Sequence, residues 1–178
     1  VDPEERGVIP LNDFHIPRSL SKKVRKDTFQ VTHDMAFKDV VQACATPARG
    51  RESTWISERI EALYTDLFQR GFAHSIECWS DDVLVGGLYG VSLGGAFFGE
   101  SMFTRVPDAS KIALAALCHM LQRAPNAVID CQVESEHLNS LGARNISRLD
   151  FEERLQQTVD MVVRDDIWRL PERCGALL

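Results

Sequence analysis

Two acids and an amide stand in this chain where apolar side chains are the rule. The run Val128-Ile-Asp-Cys-Gln-Val133 reads as a strand. Side chains two apart on a strand share a face, so Asp130 and Gln132 are expected to point together, about 6.6 Å apart at 3.3 Å per residue. Ile129, Cys131 and Val133 then share the other face. A carboxylate in such a strand is costly unless it is paired or used. Asp130 can serve as a helix cap or core hydrogen-bond acceptor, or it can handle a proton or a cation. The second acid is Glu100 in Phe98-Gly-Glu-Ser-Met102, where the same alternation sets Phe98, Glu100 and Met102 on one face. An acid between a ring and a thioether makes a narrow pocket with one negative point, suited to a substrate cation. Alone on an edge strand it faces water; two acids on neighbouring inner strands point to a shared site.

Other candidates carry less. The glycines of Gly86-Gly-Leu-Tyr-Gly90 and Gly94-Gly95 do not form a nucleotide loop, because they neither open a helix nor precede Lys-Ser/Thr. Inside a strand they mark bulges or close backbone approach. Trp55 is either a stacking platform for a base or a core anchor. Ser101 has no His at a fixed local spacing and Cys131 faces away from Asp130, which weakens any nucleophilic triad. The five cysteines and five histidines are scattered without C-x-x-C, H-x-x-x-H or H-E-x-x-H spacing, so no metal site is expected.

The elements needed to position these residues are legible in outline. Thr28 to Thr32 reads as a strand. A helix follows with Asp34 as N-cap and Phe37, Val40, Val41 and Cys44 on one stripe. Residues 46–53 read as a surface loop. Ser57 opens an amphipathic helix with Ile60, Leu63, Tyr64, Leu67 and Phe68 inward, closed by Gly71. His74 to Trp79, the turn Asp81-Asp82, Val83 to Val91 and Ala96 to Phe103 form an antiparallel meander. Asp108 caps a helix to about Arg123, with Leu114, Leu117, Met120 and Leu121 inward. Val128 to Val133 is a strand, Ser135 to Leu141 a short helix, Arg144 to Ser147 a last strand and Leu149 to Val163 a final helix. The fold class is α/β (α+β): a mixed, mainly antiparallel sheet flanked by helices. Its element order resembles acyltransferases of the N-acetyltransferase type. The pyrophosphate loop of acetyl-coenzyme A enzymes is missing, since Arg105-Val-Pro-Asp-Ala-Ser110 has no glycine. Residues 1–27 are expected to be an extended N-terminal segment, 28–160 the catalytic domain and 161–178 a tail.

The chain has 178 residues, enough to bury roughly 70% of its unfolded surface in a core without disulfides. Scattered, odd-numbered cysteines point to a reduced, cytoplasmic compartment. No run approaches the about 20 apolar residues of a membrane helix, and the N-terminus lacks the order of a secretory signal. Twenty Lys and Arg against 26 Asp and Glu give a net charge of −6, which excludes nucleic-acid binding by overall field. A local exception is Arg18, Lys22, Lys23, Arg25 and Lys26, five cations in nine residues. A monomer is expected.

Seven runs in order, Ser53-Thr-Trp-Ile56, His74-Ser-Ile-Glu77, Val85-Gly-Gly-Leu-Tyr-Gly90, Phe98-Gly-Glu-Ser-Met-Phe103, Asp108-Ala-Ser-Lys111, Ile129-Asp-Cys-Gln132 and Ser140-Leu-Gly-Ala143, resemble the leucyl/phenylalanyl-tRNA–protein transferase family. The resemblance runs from about Asp2 to Val159. It implies a cytosolic bacterial aminoacyltransferase that moves Leu or Phe, sometimes Met, from charged tRNA to a protein's N-terminal Arg or Lys and so marks it for N-end rule degradation. No cofactor is implied. By the same resemblance Asp130 and Gln132 handle the attacking amine, with Asp130 either polarising the Gln132 amide or binding the ammonium. Glu100 recognises the basic acceptor. Trp55, Leu88, Phe97, Leu117, Leu121 and Ile129 form the aminoacyl pocket, and the basic cluster holds the tRNA acceptor end. Members of the family usually begin with a longer, aromatic-rich N-terminal part, so this chain is expected to be truncated relative to them. The rival readings are a non-catalytic binder of basic N-termini and an acetyl-coenzyme A dependent N-acyltransferase.

Overall fold

A computed structural model of the chain describes residues 4–46, 57–124, 126–162, 167–171 and 174–177. Its centre is a seven-stranded sheet. The strands are β1 (Glu5–Pro10), β2 (Gln30–His33), β3 (Ala73–Ser80), β4 (Val83–Leu93), β5 (Ala96–Thr104), β6 (Val128–Gln132) and β7 (Arg144–Ser147), in the spatial order β2-β3-β4-β5-β6-β1-β7. Only β5 and β6 run parallel. The helices are α1 (Arg18–Arg25), α2 (Phe37–Ala45), α3 (Glu58–Gln69), α4 (Ala109–Leu121), α5 (Glu136–Asn139) and α6 (Arg148–Thr158). The meander, the crossover helix α4 and the parallel strand β6 are the order expected of an acyltransferase of the N-acetyltransferase type.

The meander turns on Asp81 and Asp82, both in the left-handed region at φ 49° and 60°, as a two-residue hairpin requires. Helix α4 is buried all round rather than on one stripe. Its Ile112, Leu117 and Leu121 pack with Ile76, Leu88, Phe97 and Ile129 on one face of the sheet. The opposite face is covered by α2 and α3, where Val40, Tyr64 and Phe37 meet Tyr89, and farther along by α6, where Phe151 and Leu155 meet Val8 and Val128. Glycines of β4 serve packing. A Cβ on Gly86 would lie 2.5 Å from the Ala109 side chain, and one on Gly90 2.2 Å from the Phe98 carbonyl oxygen.

Three local expectations change. Residues read as an extended entry segment form β1, paired antiparallel to β6 on one side and to β7 on the other, followed by α1. Leu63 of α3 is 52% exposed, and Tyr64 carries the buried contact instead. Asp34 does not cap α2, whose N-cap is Ala36. It accepts the Ser75 N–H at 2.8 Å and lies 2.8 Å from Nδ1 of His74. Beside it the fully buried Glu77 accepts hydrogen bonds from the Thr32 and Ser75 hydroxyls. His74 stacks on Trp168, ring centroids 3.8 Å apart. These acids therefore tie β2, β3 and the start of α2 together.

Candidate active site

The parallel strands β5 and β6 pair only from Ala96 with Val128 to Phe98 with Asp130. Beyond that point they part. Two irregularities sit at the fork. In β5 the register shifts opposite Tyr89 and Gly90, leaving Glu100 as the extra residue. In β6 it shifts where Gly7 meets Gln132 and Val8 meets Asp130, leaving Cys131 extra. Bulges of this kind re-aim side chains.

A cavity of about 690 Å³ occupies the fork and is lined from both faces of the sheet. Toward α4 its wall is apolar, built from Leu88, Phe97, Met102, Leu114, Leu117 and Ile129. Toward α2 the polar Tyr89, Glu100, Ser101 and Asp130 stand among Ala43, Cys44 and Phe103. One space thus offers an apolar arm and an arm with two acids, and Gln132 lines it where it bonds to Gly99 across the fork.

Asp130 is 2% exposed and fully paired. Arg6 of β1 donates from Nε to Oδ1 at 2.9 Å and from Nη2 to Oδ2 at 2.8 Å, a two-toothed fork. The Arg6 guanidinium in turn lies 5.6 Å from the centre of the Phe151 ring. Oδ1 of Asp130 also accepts the backbone N–H of Gln132 at 2.8 Å. That contact holds Gln132 at φ 66°, a conformation that non-glycine residues seldom adopt. Strict alternation along β6 therefore fails: Asp130 and Gln132 both line the cavity, but through the bulge, and Cys131 lines it too. The Gln132 side chain donates from Nε2 to the Gly99 carbonyl oxygen at 2.9 Å and spans the fork.

The electrostatics follow from burial. Glu100 holds its proton more firmly than an ordinary glutamate because it is desolvated; the Tyr64 hydroxyl opposes this, the Asp130 charge adds to it and Arg6 opposes it. Burial, and then the Asp130 charge, push the Cys131 thiol up to about 12, so it is no nucleophile at neutral pH. Tyr64 and Tyr89 are likewise pushed up by burial and remain phenols.

The structure thus brings Asp130, Gln132, Glu100, Leu88, Phe97, Leu117 and Ile129 to one cavity. Leu121 is fully buried in the adjoining core and does not line it. Trp55 lies outside the described residues. The basic cluster is α1, where Leu20 and Val24 are buried and Arg18, Lys22, Arg25 and Lys26 are exposed. Lys23 differs, being paired with Asp108 at the head of α4. Arg6 and Tyr64 are the site residues that sequence reasoning missed. The cost of burying Asp130 called for a cation, but nothing in the sequence marked one 124 positions away.

A leucyl/phenylalanyl-tRNA–protein transferase from Maricaulis maris is 53% identical over 172 residues, 97% of this chain and 79% of the relative. One from Rhodospirillum rubrum is 49% identical, covering 99% of this chain and 83% of the relative. Solved structures are more distant. L-PGS from Bacillus licheniformis covers 75% of this chain and 46% of its own at 9% identity and a TM-score of 0.49. A GCN5-related N-acetyltransferase-like protein from Streptococcus suis covers 81% and 60% at 16% identity and a TM-score of 0.38. The family model described as leucyl/phenylalanyl-tRNA protein transferase matches residues 8–156, and with these relatives it shows that the chain belongs to that family of aminoacyltransferases.

Proposed function

We propose that this chain transfers Leu or Phe from its tRNA to the N-terminal Arg or Lys of an acceptor protein. The observation that carries the reading is the two-armed cavity with Gln132 at its junction. The apolar arm suits a Leu or Phe side chain. The acidic arm, with Glu100 beside Tyr64, suits the acceptor's cationic side chain. The two substrates then meet at the fork, which supplies the proximity that an uncatalysed encounter lacks.

The acceptor's α-amine attacks the ester carbonyl carbon; the C–O bond to the ribose breaks, and the released ribose oxygen takes up the proton the amine gives up. With Nε2 of Gln132 engaged by Gly99, its Oε1 is the end left to accept a hydrogen from the attacking amine. Of the two roles expected for Asp130, the geometry favours polarising and orienting Gln132, because both carboxylate oxygens already accept from Arg6. The exposed cations of α1 sit at i, i+4 and i+7 for Arg18, Lys22 and Arg25, a stripe that would meet phosphates of the tRNA acceptor end. Every group named comes from one chain, so a monomer suffices, and cytoplasmic tRNA is the natural supply.

The test is direct. Mixing the chain with radiolabelled Leu-tRNA and an Arg-started peptide should yield a peptide extended by one Leu, whereas an acetylated peptide should yield none. A chain that binds both substrates and forms no new peptide bond refutes the reading.

A further inference from the structure

Gln132 is held in an uncommon shape, and the question is what holds it. A non-glycine residue at positive φ costs on the order of 1–3 kcal/mol and persists only where its surroundings over-determine it. Here the φ of 66° coincides with the β6 bulge and with the contact from the Gln132 N–H to Oδ1 of Asp130. Asp130 is free to turn about its own side-chain bonds unless both its oxygens are fixed. The Arg6 fork grips both at once, and Arg6 is set in place by its strand β1 and by Phe151 beside it. The series Phe151, Arg6, Asp130, Gln132, Gly99 is continuous in space and ends at the fork between β5 and β6. Arg6 itself does not line the cavity, so it meets no substrate there.

We propose that Arg6 is a positioning residue of the transfer reaction, acting on Gln132 through Asp130. Its guanidinium fixes the plane of the Asp130 carboxylate, the carboxylate fixes the left-handed turn, and the turn aims the Gln132 amide across the fork. A lysine keeps the charge but offers no planar two-toothed grip, so it fixes the carboxylate's place and not its plane. This inference rests on the transfer reading above.

The test compares kcat and KM for the full chain and for Arg6→Met, Arg6→Lys, Asp130→Asn and the double variant Arg6→Met/Asp130→Asn, each checked for folding by thermal melting. Arg6→Met is expected to lose about 100-fold in kcat, the loss typical of a slightly misplaced catalytic group, with both KM values close to those of the unaltered chain. Arg6→Lys should fall between. The double variant should be no slower than Asp130→Asn alone, because both changes break one device. If Arg6→Met does not fold, Arg6→Lys and its kcat decide. Arg6 variants that melt lower but keep full kcat show a merely structural salt bridge and overturn the proposal, as do losses that multiply in the double variant or appear in KM alone. Failure of the unaltered chain to transfer at all refutes the transfer reading itself, an outcome distinct from any ratio between variants.

Discussion

Nε2 of Gln132 and the carbonyl oxygen of Gly99 lie 2.9 Å apart across a gap where their strands no longer pair. That hydrogen bond bridges the fork where the sheet ladder has ended and orients the amide. Gln132→Ala removes both the bridge and the acceptor for the amine hydrogen. It should lower kcat by about 100- to 1,000-fold, the loss usual for one preorganised polar group, while the melting temperature moves little. Single-turnover transfer of labelled Leu checks this; unchanged kcat would assign the chemistry elsewhere.

Leu117 is fully buried and forms part of the apolar arm. Leu117→Phe fills space that a Phe side chain would take more than a Leu side chain would. The ratio of kcat/KM for Phe-tRNA over Leu-tRNA should fall by about 10-fold, since one or two methylenes are worth roughly 1–3 kcal/mol in such a pocket. Competition between the two charged tRNAs measures the ratio. The core pays about 1–3 kcal/mol of overpacking, visible as a lower urea midpoint.

Glu100 is raised above the ordinary glutamate value by burial and by the Asp130 charge, against Tyr64 and Arg6. Its attraction for a cation therefore fades at a higher pH than that of an exposed glutamate. Affinity for an Arg-started peptide should fall as pH drops through that raised value, and Glu100→Gln should hold it at the acid level throughout. Stability has the opposite slope. Between the ordinary and the raised value the folded chain binds more protons than the unfolded one, so stability declines as pH rises across that window, and Glu100→Gln flattens the decline. Calorimetric peptide titration and urea unfolding at several pH values separate the two effects.

Asp34 is lowered to about 2: burial works against this, and the nearby His33, the contact with His74 and the Ser75 N–H outweigh it. A depressed carboxyl contributes stability above its unfolded value near 3.8 and loses it as pH falls toward about 2. Asp34→Asn should cost about 2 kcal/mol at pH 6 and almost nothing near pH 2, read from urea midpoints. Equal costs at both pH values would place the role of Asp34 in shape and not in charge.

The meander, α4 and β6 were legible because hydrophobic period and turn residues such as Asp81-Asp82 report local structure. Asp130, Gln132 and Glu100 stood out because polar groups in apolar strands need a reason. Their geometry was not legible. Alternation placed Asp130 and Gln132 on one face, but the extra residue Cys131 and the left-handed Gln132 bring them together by a different route. Bulges leave no mark in composition. Strand β1 was missed because Glu5-Arg-Gly-Val-Ile-Pro10 shows no alternation, holds a Gly and a Pro, and gains its order from β6 and β7 on either side. Arg6 was missed with it.

The place of β1 between β6 and β7 sets the timing of assembly during synthesis. Strand β1 is made well before either of its neighbours, so Arg6 waits for 124 residues to be made before Asp130 exists to receive it. A partly translated chain that has made its meander still lacks β6, so the fork between β5 and β6 is unfinished. The fork is completed only when β1 meets β6 and β7, a long-range step of the kind that folds slowly.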